Sequence, residues 1–169
     1  MKCKAGEVMQ YKGCAFSGHR VIADADIKKI YDTLKPMLIE LIEQGITDFY
    51  AGGALGFDTI AALMILKLRG EYPHIKLHLL LPYPEQSEDW SENDIMNYEF
   101  TKQHANSFVY LDRQYSAESL RKRNRELVDR SDMLICYCRR PRSGTASTMN
   151  YAKKLGKPVI NLADKIFAK

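Results

Sequence analysis

Cysteine is scarce. The chain has four in 169 residues (Cys3, Cys14, Cys136 and Cys138), too few and too unevenly spaced for a disulfide scaffold. The Cys136-x-Cys138 pair has no nearby His and makes a poor zinc site, so these thiols are expected as small buried groups in a reducing cell. His74 and His78 would stand about 13 Å apart on a strand rising roughly 3.3 Å per residue, too far to share a metal ion. No apolar run approaches the roughly 20 residues of a membrane helix. The opening Met-Lys-Cys-Lys-Ala-Gly-Glu also lacks the apolar centre of a signal peptide. These absences argue against membrane insertion and leave a cytoplasmic location as the expectation. There is neither a Gly-x-Ser-x-Gly elbow nor a Gly-x-x-x-x-Gly-Lys-Ser/Thr loop, which removes the serine-hydrolase and Walker motifs. Repeats, low-complexity stretches and Pro/Ser-rich linkers are missing too. One domain over residues 1–169 is therefore expected, with 1–12 as a flexible N-terminal segment.

What is present is an ordinary globular composition, 46% hydrophobic and 27% charged. A chain of this length buries roughly two-thirds of its unfolded surface and needs no covalent or metal staple. The net charge is a mild +4. Between Asp112 and Arg142 nine Lys/Arg face five Asp/Glu, an excess equal to that of the whole chain. Such a surplus suits a phosphate-bearing ligand and is compatible with nucleic acid.

Short apolar runs alternate with helical patterns. Strands are expected at Cys14–Ser17, Thr47–Ala51, Ile75–Leu81, Ser107–Leu111, Met133–Tyr137 and Pro158–Leu162. Helices are expected at Asp24–Gln44, Phe57–Leu68, Asp94–His104, Ala117–Arg130 and Ala146–Leu155. Asp24 or Asp26 is the expected N-cap of the first helix, Gly45 its stop, and Pro36 the site of a kink or break. Strands apolar on both faces, alternating with helices, predict an α/β protein. Its expected core is a Rossmann-like, doubly wound, mostly parallel sheet with helices on both faces.

In such a sheet ligands bind outside the carboxyl ends of the strands, so the residues just past each strand carry the functional argument. Ser17-Gly18-His19-Arg20 puts a tight turn beside a fork-shaped cation suited to phosphate or carboxylate. His19 on its own reads as a structural histidine. Gly52-Gly53-Ala54-Leu55-Gly56-Phe57-Asp58 leaves room for a phosphate over a helix N-terminus. Asp58 there is either a helix cap or an acceptor for a ribose hydroxyl. Ser143-Gly144-Thr145, with Thr148 one turn on, is either plain capping or a second anion nest. Arg121 and Arg125 share one helix face and Arg123 looks elsewhere. The Pro82-to-Trp90 loop holds Glu85 and the only Trp, with Trp90 either stacking on a ring or anchoring the loop.

In their order, Ser17–Arg20, Gly52–Asp58, Pro84–Trp90, Lys122–Arg125 followed by Ser131-Asp132, and Ser143–Thr145 resemble the YpsA-like branch of the SLOG superfamily. That superfamily groups the DNA-processing protein DprA (Smf) with the LOG phosphoribohydrolases. The resemblance runs from about Gly13 to Leu162. It implies a bacterial protein with a Rossmannoid fold and a pocket for a nucleotide or nucleotide derivative, linked to cell division and stress. LOG enzymes carry Pro-Gly-Gly-x-Gly-Thr-x-x-Glu, whose Glu serves catalysis. Here Arg140-Pro141-Arg142-Ser143-Gly144-Thr145-Ala146-Ser147 aligns with it and Thr148 stands at the Glu position. Arg123 falls where those enzymes place an active-site Arg. The missing carboxylate argues against glycosidic cleavage, with Arg123 the one catalytic candidate if the chain hydrolyses anything.

The leading expectation is a ligand-binding, sensor-type protein. Gly52, Gly53, Gly56, Ser143, Gly144 and Thr145 would cradle phosphate, Arg20 and Arg123 would neutralise it, and Asp58 would hold ribose. Ser17, Gly18, Glu85 and Trp90 are the further ligand-binding candidates. The ligand is expected among ADP-ribose, NAD and AMP-like molecules, with no metal and with self-association into a homo-oligomer compatible. A LOG-like N-glycosidase comes second, and DprA-like nucleic-acid binding is the least favoured.

Overall fold

The computed structural model describes residues 11–168. Of the expected N-terminal segment, residues 1–10 lie outside the described residues. Lys12 leads directly into the first strand, where the backbone N–H groups of Lys12 and Gly13 both donate to Asp132, at 2.8 and 2.9 Å.

In chain order the elements are β1 (Gly13–Gly18), α1 (Asp24–Glu43), β2 (Asp48–Ala51), α2 (Phe57–Leu68), β3 (Lys76–Leu81) and α3 (Glu92–His104). They continue with β4 (Ser107–Tyr110), α4 (Ala117–Asp129), β5 (Met133–Tyr137), α5 (Gly144–Lys154), β6 (Val159–Asn161) and α6 (Leu162–Ile166). The six strands form one sheet in the order β4-β3-β2-β1-β5-β6. Every pairing is parallel, so the sheet is wholly and not just mostly parallel. The chain winds outward from β1 to β4, then returns to the other side of β1 for β5 and β6. Strand order therefore reverses between β1 and β5, where a ligand crevice is expected in sheets of this kind.

Side chains alternate across the strands and bury on both faces. Phe16, Phe49, Leu77, Leu79, Leu81 and Ile135 pack against α1, α2 and α6 in the larger core. Ala15, Leu80, Leu134 and Cys136 meet Leu127, Val128 and Ala152 of α4 and α5 in the smaller one. Cys136 is fully buried, as expected, whereas Cys138, expected to be buried with it, is only half-buried. Cys14 is fully buried too, and burial pushes the Cys14 and Cys136 thiols well up, Cys136 to about 12.

Three local expectations are corrected. Helix α1 continues through Pro36, which removes the break from the expected kink or break. Pro36 and Asp32 both face solvent, so the Asp32 carbonyl that loses its amide donor is free to bond water. The cap of α1 is Ala23, with no side-chain hydrogen bond, while Asp24 and Asp26 sit in the first turn and complement the helix dipole. Helix α5 starts at Gly144 rather than Ala146 because Ser143 caps it, accepting from the Ala146 amide at 3.1 Å.

The edge strand β4 is mostly exposed. A polar chain fastens it, in which His78 on β3 bonds Ser107 through Nδ1 and Asp48 on β2 through Nε2, both at 2.7 Å.

Candidate functional site

Parallel β-α units place the N-terminus of each following helix at the same crest of the sheet. Gly18 and Tyr137 are register partners at the ends of β1 and β5, so the loops after them emerge side by side. Between these loops and the start of α4 lies a cleft of about 550 Å³, inside the roughly 300–1,000 Å³ range of small-molecule sites. It sits at the point where strand order reverses.

Four arginines and one carboxylate line it: Arg20, Arg121, Arg123, Arg140 and Asp58. Arg121 is engaged by Glu118 at 3.1 Å. Among the described residues no carboxylate comes within ion-pair distance of Arg20, Arg123 or Arg140. Arg123 is the most constrained. Only 5% exposed, it donates through Nη1 to the Gly52 carbonyl at 2.7 Å and through Nε to Asn124 at 2.9 Å. Burial lowers its pKa while nearby Asp58 opposes that shift. A guanidinium nevertheless remains a cation at neutral pH.

Asp58, in the first turn of α2, is 4% exposed and accepts the Ala54 amide at 3.3 Å. Burial lifts its carboxyl to about 6, against the opposing pull of Arg123 and Arg20. The cleft thus holds a buried cation and a buried acid that titrates near neutrality. Such a pairing in a concave site is a mark of function.

His19 assembles the crest. Its Nε2 accepts the backbone N–H groups of Arg139 and Arg140, at 2.8 and 3.3 Å. Its own carbonyl accepts the Phe57 amide at 3.1 Å, and its amide donates to Tyr137 at 3.2 Å. Burial, then the charge of Arg140, lowers its pKa, which keeps Nε2 free to accept. One residue, through its ring and its backbone, thereby ties the β1, β5 and α2 ends together.

Of the residues expected from the sequence, Ser17, Gly18, Arg20, Asp58, Arg123, Ser143, Gly144 and Thr145 all line this cleft. Gly52, Gly53, Gly56, Glu85 and Trp90 do not, and packing explains each. A Cβ on Gly52 would lie 2.8 Å from Arg123, so this glycine lets the arginine cross behind the wall. The Gly53 carbonyl accepts Gln86 Nε2 at 3.2 Å. Gly56 has φ +74°, and a Cβ there would come 2.4 Å from the carbonyl oxygens of His19 and Arg20. The glycine turn therefore seats chain against chain beneath the Arg20 loop, and from it only Ala54 and Asp58 reach the cleft. Glu85 is exposed to solvent. Trp90 stacks edge-on against Tyr98, with ring centroids 5.3 Å apart, as the anchor of its loop. Thr148 is buried and turned onto its own helix, donating to the Gly144 carbonyl at 2.9 Å.

Sequence reasoning missed Arg140, Asn124, Tyr115 and the latch role of His19. Arg140 belongs to the basic Arg139-Arg140-Pro141-Arg142 run, where local spacing does not single out the member that turns inward.

The sequence profile of the YspA SLOG family matches residues 14–157. The chain belongs to the YspA SLOG family. Proteins similar to the chain include the SPbeta prophage-derived protein YoqJ of Bacillus subtilis, 30% identical over 138 residues that cover 72% of this chain and 81% of YoqJ. A UPF0398 protein of Halalkalibacterium halodurans is 33% identical over 132 residues, covering 76% and 68% respectively. Among solved structures the SLOG chain superposes on DNA processing protein A of Helicobacter pylori, described for its single-stranded DNA binding mode. The TM-score is 0.61 at 24% identity, over 88% of this chain and 63% of the other. DprA of Streptococcus pneumoniae gives a TM-score of 0.63 at 17% identity, over 90% and 50%. The chain thus spans less than two-thirds of either protein, and at these identities the likeness is one of fold.

Proposed function

We propose that the crest cleft binds an anionic ligand of the nucleotide class and that the protein acts as a sensor of that ligand. The observation that carries this reading is the charge balance of the cleft: Arg20, Arg123 and Arg140 around the N-terminus of α5, with no carboxylate partner among the described residues, against Asp58, the one acid among the described lining residues. Guanidinium forks and a helix N-terminus are two independent devices for holding phosphate, and both face one space. Asp58 is then the acceptor for a ribose hydroxyl.

A second reading, N-glycosidase action on a nucleoside monophosphate, is favoured by one feature. A carboxyl lifted to about 6 beside a buried arginine has the protonation behaviour of a general acid. In that case Asp58 would take the place of the carboxylate absent at Thr148.

Calorimetry against ADP-ribose, NAD and AMP tests the first reading. Binding below millimolar is expected for at least one of them. Arg20→Ala combined with Arg140→Ala should weaken it roughly tenfold or more, the scale of a lost charge-assisted hydrogen bond. Arg20 is exposed, so that half of the variant carries little folding cost. No binding by any of the three ligands would end the proposal. Free adenine released from AMP, and lost in Asp58→Asn, would shift the balance to the hydrolase.

A further inference from the structure

A second hollow, of about 430 Å³, opens between α4 and α5 immediately beyond the first. The two share Arg121, Asn124 and Gly144, so the ridge between them is built largely from one amide side chain and a residue with none. A Cβ placed on Gly144 would find only the Asn124 amide nitrogen within 4 Å, at 3.9 Å. The ridge is therefore low and open. Asn124 is in turn held by Arg123, whose Nε donates to its Oδ1 at 2.9 Å, so the buried cation of the first cleft also positions the ridge.

The chemistry of the second hollow differs from that of the first. Its arginines, Arg121 and Arg125, are both bound to Glu118, at 3.1 and 2.5 Å. That one carboxylate answers half of their charge, and its hydrogen bonds orient both guanidinium groups. Tyr151 is fixed as well, its hydroxyl donating to Asp129 at 2.7 Å. Ser147 adds an exposed hydroxyl, and Thr148 spends its own on the Gly144 carbonyl. Held guanidinium planes, a held aromatic ring and a hydroxyl suit a flat, uncharged, hydrogen-bonding group more than a second phosphate. Of the arginines lining the two hollows, those with no carboxylate partner among the described residues all lie on the first side of the ridge.

We propose that the ligand is a two-part molecule, a dinucleotide or nucleotide-sugar joined by a diphosphate. Its anionic linkage lies by Arg20, Arg123 and Arg140, and its second part crosses Gly144 into the α4–α5 hollow. The inference rests on the phosphate-binding reading above and adds the class of ligand. A mononucleotide occupies one hollow and leaves the other unfilled.

The experiment compares AMP with ADP-ribose and NAD by calorimetry on the full chain and on Ser147→Trp. Ser147 is exposed on α5 and lines the second hollow but not the first, so an indole there is placed to block the second alone. The expected result is that ADP-ribose or NAD binds at least roughly tenfold tighter than AMP, the ratio that 1.4 kcal/mol of added contact produces. Ser147→Trp should erase that advantage and leave AMP binding as it was. Equal affinity for AMP and the longer ligands, or an equal loss for all of them in Ser147→Trp, overturns this inference while the phosphate reading stands. Silence from every ligand in the unsubstituted protein overturns both.

Discussion

Asp58 and His19 line the same cleft, and burial drives their protonation in opposite directions. Asp58 is lifted from the ordinary 3.8 to about 6. The stability this contributes is complete below 3.8 and is lost as pH rises through about 6. His19 is lowered from 6.5. Its contribution is complete above 6.5 and is lost as pH falls toward its folded-state value. On acidification from about pH 7 to about pH 5, Asp58 therefore gains stability while His19 loses it. Asp58→Asn removes the gain, and its urea midpoint is expected to fall more steeply over that interval than the parent's. Parallel midpoints would show that Asp58 carries no raised pKa. Single residues of this site were legible wherever the signal was local. Arg20, Asp58 and Ser143-Gly144-Thr145 each follow directly on a strand or open a helix. Arg140 and Asn124 were not legible, because their place depends on His19 gripping a loop 120 residues away in sequence and on Arg123 turning inward.

The β2–α2 turn shows what a glycine motif does and does not say. Gly56 and Gly156 have the same φ of +74°, but a Cβ on Gly156 meets nothing within 4 Å, whereas one on Gly56 strikes backbone oxygens at 2.4 Å. Gly156→Ala is expected to cost only the left-handed penalty, roughly 1–2 kcal/mol. Gly56→Ala should cost clearly more, because neither His19 nor Arg20 can withdraw its carbonyl without dismantling the crest. Urea unfolding of the two variants side by side checks this, and equal losses would mean that the turn has room to give. The glycine spacing in the sequence pointed rightly to a close approach but misjudged the partner, which is the protein's own chain. Elements with a full apolar stripe, such as Phe57–Leu68, were readable to the residue. The five-residue α6 was not, since it is too short to show a period. Pro36 misled because its effect depends on which way the helix faces.

For the whole molecule the question is how charge is distributed. The net +4 is small, yet three arginines without a carboxylate partner among the described residues, Arg20, Arg123 and Arg140, gather in one cleft at the reversal of strand order. A concentrated anion site, and not a long basic track, is what that distribution supports. Single-stranded oligothymidylate is therefore expected to bind only in the non-specific range, weaker than roughly 10⁻⁶ M at physiological salt. A titration across salt concentrations checks this, and tighter binding with a steep salt slope would favour the DNA-binding alternative. The architecture itself was legible because buried parallel strands announce themselves as apolar runs between helices. Strand order and the position of the cleft were constrained by the handedness of the crossovers.

The chain has a single tryptophan, and it rests on Tyr98 in the turn whose Gln86 reaches both the Gly53 carbonyl and, at 3.5 Å, Arg123. Gln86 therefore stands between that arginine and the turn that holds the one indole. The molecule thus carries its own fluorophore, in the same turn as the residue that meets the back of Arg123, and a change in indole emission on titration would come from one known place without a label.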